Sequence, residues 1–183
     1  MEYEQALRKA WAQVESLTEK KRHSVRFLND NYDVDPEKRS VLSLSCNAPA
    51  KSYLSILILH YLIRALKGLP TVKNEWISFK ELPGGAGYYP TFKKRVIDTV
   101  IGKYGSRPDC LLEITGRFKA KKAQLADISV VLETFDNVPV LITFWRGDDE
   151  FGPEANVLFD KGIVDIFCTE DIVVLAEFIA HSI

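Results

Sequence analysis

Apolar residues Tyr3, Leu7, Ala10, Trp11, Val14 and Leu17 recur every three or four positions, which predicts an amphipathic helix over 2–20. From 24 to 46 the period shortens. Val25 to Leu28 alternates, Asn29 to Asn31 and Asp35-Pro36 read as turns, and Ser40 to Cys46 returns as a strand. These segments predict an antiparallel β-meander of two or three strands. Residues 51–67 are apolar nearly all round and stop at Gly68, so they predict a central, buried helix.

Residues 75–80 read as a short extended piece and 83–87, Pro-Gly-Gly-Ala-Gly, as a flexible loop. A helix is expected over 90–104, with Pro90 in its first turn, and a shorter one from Pro108 to Phe118. Ile128–Phe135 and Val138–Arg146 flank Asp136-Asn137 and predict a β-hairpin over 128–146. Both its strands are apolar on both faces, which places it in the middle of a sheet. Residues 157–159 and 163–167 read as extended. Thr169 is the expected N-cap of a last helix over 170–182, with Glu170 and Asp171 favouring its dipole. The pattern predicts a single α+β domain. A mixed or antiparallel sheet of about five strands would pack on the central helix and the C-terminal helix.

Composition narrows the function classes. The chain has 183 residues, is 46% hydrophobic and 27% charged, and carries a net charge of −1. Such a balance attracts neither nucleic acid nor an anionic membrane, so neither is expected as a partner. The basic clusters Lys20–His23, Lys93–Arg95 and Lys119–Lys122 read as solvated faces. The longest apolar run, Tyr53 to Leu66, is shorter than a membrane span and carries His60 and Arg64. Cys46, Cys110 and Cys168 form neither a disulfide framework nor a Cys-x-x-Cys pair. They are expected to be small buried hydrophobes of a cytoplasmic protein.

The candidate chemistry lies in three places. Asp148, Asp149 and Glu150 repel one another and are framed by Trp145, Phe151 and Phe159, rings that favour burial. With Asn156 and Asp160 folded back they would make an oxygen site for Mg²⁺ or Ca²⁺, with Asp148, Glu150 and Asp160 as ligands. The same acids equally fit a cap on a following turn. Gly84 and Gly85, beside Tyr88 and Tyr89, fit either a mobile turn or a lid over a pocket. His60 fits a hydrogen-bonded core residue, or a base paired with Cys46 or Cys168. Trp76 and Trp145 read as core anchors that would also border a ligand site.

Three stretches together carry a family resemblance: Leu59-His-Tyr-Leu62; Trp76-Ile-Ser-Phe-Lys-Glu-Leu-Pro-Gly-Gly85; and Phe144-Trp-Arg-Gly-Asp-Asp-Glu-Phe151 with Leu158-Phe-Asp160 and Thr169-Glu-Asp171. They resemble domain-of-unknown-function family 3786, found largely in anaerobic bacteria and archaea. Some of its relatives carry a cysteine-rich iron–sulfur module or lie beside corrinoid and one-carbon enzymes. This chain lacks those cysteines, and the resemblance brings no established activity. It implies an accessory domain that binds a small molecule or cofactor in anaerobic metabolism. Two alternatives stand beside it. One is a protein–protein interaction module with an acidic, aromatic surface. The other is a hydrolase or transferase using His60 and carboxylates.

Overall fold

The structure, a computed structural model, describes residues 2–19 and 21–183. It is α+β, with two antiparallel sheets. Its residues fall into two compact units that meet in sequence between Thr71 and Val72.

In the first unit, α1 (Glu2–Leu17) lies along α2 (Ser52–Lys67). The helical periodicity of α1 is real, and Ala10, Trp11 and Val14 are its buried stripe. Lys20, at the end of the expected helix, lies outside the described residues. Leu54 to Leu59 and Tyr61 to Ile63 are buried on α2, as its all-round apolar surface requires. The meander is β1 (His23–Phe27), β2 (Asp30–Asp35) and β3 (Ser40–Ser43), extended by a two-residue β4 (Ala48–Pro49). It forms a sheet of its own, in the order β1-β2-β3-β4.

The second unit holds five antiparallel strands. They are β5 (Trp76–Ser78), β6 (Ala120–Ala123), β7 (Ile128–Phe135), β8 (Val138–Trp145) and β9 (Glu154–Asp160). Their order is β5-β9-β8-β7-β6, so the β7–β8 hairpin is central, as expected. Asn137 takes the positive φ of its turn. One face presents Val130, Leu132, Val140, Ile142, Phe144, Val157 and Phe159, each essentially inaccessible to solvent. On the opposite face Ser129, Leu141 and Thr143 are also buried, so the hairpin strands lack a clean polar alternation.

Three local expectations are corrected. The glycine-rich 83–87 segment is not a loop, because α3 (Gly85–Phe92) begins within it. Gly84 supplies a left-handed residue at φ 73°, and Gly85 comes so close to Phe79 that a Cβ would lie 1.9 Å from the Phe79 carbonyl oxygen. Phe79 then stacks on Phe92 with ring centroids 4.0 Å apart, and this packing outweighs poor helix propensity. Pro90 sits inside α3 rather than in a first turn. Its missing N–H breaks the bonding ladder, and the chain passes through a π-helical turn, Lys93–Ile97, into α4 (Asp98–Tyr104).

Second, the 163–167 segment is not extended. A 3₁₀ turn spans Lys161–Asp165, started by the Asp160 carboxylate accepting from the Gly162 N–H. Third, α6 (Thr169–Ser182) is capped by Cys168, whose thiol and N–H both donate to Asp171. Thr169 is the first helical residue instead, and its hydroxyl donates to the Pro83 carbonyl at 2.8 Å. Between α4 and β6, the Pro108–Phe118 stretch is a 3₁₀ turn followed by α5 (Ile114–Arg117).

Candidate functional site

The acidic turn between β8 and β9 closes on itself. The Asp148 N–H donates to the Phe151 carbonyl at 2.8 Å. The Asp148 carboxylate accepts from the N–H groups of Phe151 and Glu150 at 2.7 and 2.9 Å. Those two donors hold its carboxyl below the usual carboxylate range, Phe151 more than Glu150. The aromatic frame is incomplete. Phe159 is fully buried and Trp145 half-buried, but Phe151 is 71% exposed. Backbone turn closure fixes the bend, so no grip by three rings is needed.

Asp160 does not join these acids. It ends β9, whereas the acidic turn precedes the strand's start at Glu154. Six residues of extended chain separate the two ends by about 20 Å. Asp160 is only 4% exposed, and its carboxylate accepts three backbone N–H groups. Lys73 and Gly162 donate to Oδ1 at 3.1 and 2.9 Å, and Asn74 donates to Oδ2 at 2.6 Å. It is a strut for the loop before β5. Among the described residues no group of three or more His, Cys, Asp or Glu side chains could hold a metal ion. The Asp148, Glu150 and Asp160 set is therefore not assembled.

The cysteine expectation is also corrected. Cys46 and Cys168 are exposed and Cys110 half-buried. Cys46 Sγ donates to Ser43 Oγ at 3.0 Å in the first unit. Desolvation of its sulfur, with the Asp171 carboxylate alongside, pushes the Cys168 thiol up to about 12. The Cys168 thiol is therefore held protonated beside Asp171 at the start of α6. His60 is half-buried on α2 in the first unit. Tyr88 is exposed and Tyr89 half-buried on α3, where Lys80 lies 4.2 Å above the Tyr89 ring.

Of the expected site residues, Trp76 borders a cavity. Its volume is about 410 Å³, and it is lined by Val72, Asn74, Trp76, Lys119, Ala120, Lys121, Val131, Glu133, Asn137 and Pro139. Strand register explains why these residues meet. Trp76 opposes Asp160 and Glu133 opposes Pro139. Extending the β8–β9 and β6–β7 registers by one residue puts Pro139 beside Asp160 and Lys119 beside Glu133. Trp76, Asp160, Pro139, Glu133 and Lys119 thus form one row across all five strands. Directly opposed residues share a face. Val131 opposes Lys121, so both lie on this face one row along.

Pro139 and Val131 floor the cavity, with Lys119 and Lys121 on one side and the 72–76 segment, braced by Asp160, on the other. Lys119 is committed, its ammonium 2.7 Å from Glu133 and 3.9 Å from Asp136. Lys121 makes no ion pair or hydrogen bond to a described residue. Neither do the side chains of Asn74 and Asn137, nor the Trp76 indole N–H. The lining carries two lysines and one glutamate, with the Asp136 and Asp160 carboxylates bordering it, so Lys121 is the ammonium without a counter-ion among the described residues.

Sequence reasoning found only Trp76 of this group. The others come from three strands, the β7–β8 turn and the segments before β5 and β6. Lys119-Ala-Lys-Lys-Ala123 lacks the β-branched and aromatic residues that mark a strand. Its one legible signal was the spacing of Lys119 and Lys121, which share a face only if the segment is extended.

No helix among the described residues is long and apolar enough to cross a membrane. No curated protein and no solved structure matches the chain. A family model does match, over residues 4–182: the chain belongs to the family described as Domain of unknown function (DUF3786).

Proposed function

We propose that this protein is a small-molecule-binding accessory domain whose site is the cavity on the five-stranded sheet. One observation carries the reading. A cavity of about 410 Å³ has an apolar floor, an indole wall and several polar side chains not committed to the fold. Ligand clefts commonly combine an apolar lining with a few convergent polar groups, in volumes of roughly 300–1,000 Å³. This one is at the small end of that range, which favours a compact ring system of pterin size over a corrinoid macrocycle. The link to anaerobic one-carbon chemistry belongs to the same proposal and narrows the ligands worth trying.

Calorimetric titration with pterins, a corrinoid and divalent cations tests it. The expected result is heat from a compact ring compound, abolished when Val131→Trp fills the cavity floor. No heat from any compact ring, or heat that Val131→Trp leaves unchanged, refutes the site.

A second reading rests on Phe151, which is 71% exposed beside Asp148, Asp149 and Glu150. An exposed ring rimmed by carboxylates suits a basic protein partner. Affinity capture with Asp148→Asn and Asp149→Asn variants tests it, and an unchanged set of captured partners removes it.

A further inference from the structure

We infer that the cavity takes a planar aromatic molecule carrying a single negative charge, its ring against the Trp76 indole and its anionic group at Lys121. The inference rests on the cavity being the binding site and specifies the class of ligand. Three features support it.

The first is the indole. Trp76 is half-buried at the edge of the sheet, and its N–H has no partner among the described residues. Apolar ring surface and a donor are therefore both presented, and a flat aromatic ring matches them best. The second is the division of labour between the lysines. Lys119 is neutralised by Glu133 and Asp136, whereas Lys121 has no counter-ion. An incoming anion need not break an existing ion pair to reach Lys121, and one uncommitted ammonium matches one negative charge. The third is the pair of side-chain amides in the lining, Asn74 and Asn137. Each can donate and accept, which suits ring heteroatoms or exocyclic oxygens. Glu133 argues against a dianion, because a second negative charge on the ligand would face its carboxylate.

Two fluorescent probes separate the charge from the ring: 8-anilinonaphthalene-1-sulfonate, and N-phenyl-1-naphthylamine, which has the same rings without the sulfonate. The sulfonate should bind more tightly, by about five- to tenfold at low salt, as expected of one charge-assisted contact at a solvent-facing site. Lys121→Gln should remove that advantage and leave the neutral probe unchanged. Lys122→Gln changes the net charge equally but lies on the other face of β6, and it should change neither. Excess 1-naphthoate, a monoanion, should displace the sulfonate, whereas 1-naphthyl phosphate, close to a dianion at neutral pH, should displace it less well.

Equal affinity for the two probes, or equal losses in Lys121→Gln and Lys122→Gln, would overturn the inference while leaving the cavity as a neutral-ligand site. Binding of both probes that survives Val131→Trp would instead overturn the cavity itself. Lys121 is exposed and outside the core, so the Lys121→Gln result does not depend on a risk to folding.

Discussion

Replacing Asp160 with Asn tests whether that carboxylate is a strut or a ligand. Three backbone N–H groups converge on it, two at Oδ1 and one at Oδ2. Asn retains one oxygen. If that oxygen serves Lys73 and Gly162, the amide NH₂ faces the Asn74 N–H, donor against donor. Losing that bond and leaving the N–H unsatisfied costs about 1.5–3 kcal/mol. The two surviving bonds weaken from charge-assisted to neutral, roughly 0.5–1 kcal/mol each. Cheaper burial of a neutral group offsets part of this. The net loss is about 3 kcal/mol. With a urea slope near 1.5 kcal/mol/M, the unfolding midpoint falls by about 2 M. Amide hydrogen exchange supplies the local measurement. Lys73 and Asn74 should exchange faster in the variant, because their anchor is gone. A midpoint shift under about 0.3 M with unchanged exchange at both amides would show that Asp160 is not holding the segment.

Further outcomes follow from the second unit. Gly85→Ala must displace the Phe79 carbonyl, so a loss of about 3 kcal/mol is expected in urea unfolding, whereas a Cβ at Gly87 meets nothing within 4 Å and Gly87→Ala should stabilise by about 0.5–1 kcal/mol. Cys168 should react with iodoacetamide at pH 8 roughly a hundredfold or more slowly than a free cysteine, because a thiol titrating at about 12 is almost entirely protonated there. The same raised value means that the folded state holds its proton longer than the unfolded chain, so this contribution to stability is lost as pH climbs from about 8.5 toward 12. Cys168→Ser, which puts a hydroxyl that does not titrate in this range in place of the thiol, should flatten that alkaline decline.

Some of this fold could be read directly from residue order, and the reason is local. The 51–67 helix and the 128–146 hairpin are long apolar segments with clear stops at Gly68 and Asp136-Asn137, and both form where the pattern put them. The start of α3 could not be read so easily. Gly84-Gly85 has the composition of a break, and only the stacking of Phe79 on Phe92 and the close approach at Gly85 make it a helix start. Asp160 was misread for a related cause. Its partners Lys73 and Asn74 lie more than eighty positions earlier in the chain, so a structural carboxylate looked like a spare ligand. The cavity was least legible. Its floor and walls come from strands whose adjacency is set by register, and β6 becomes a strand because β7 offers it a partner.

The position of β6 has one more effect. It is the outermost strand of its sheet, and Lys121 and Lys122 project from its opposite faces. A second molecule adding a strand along this border would have to bury an ammonium group on either side. Lys121, proposed as the cation of the cavity, therefore joins Lys122 in disfavouring edge-to-edge pairing through β6. Variants aimed at ligand recognition should remove these lysines one at a time, since losing both would expose an unguarded border and invite aggregation.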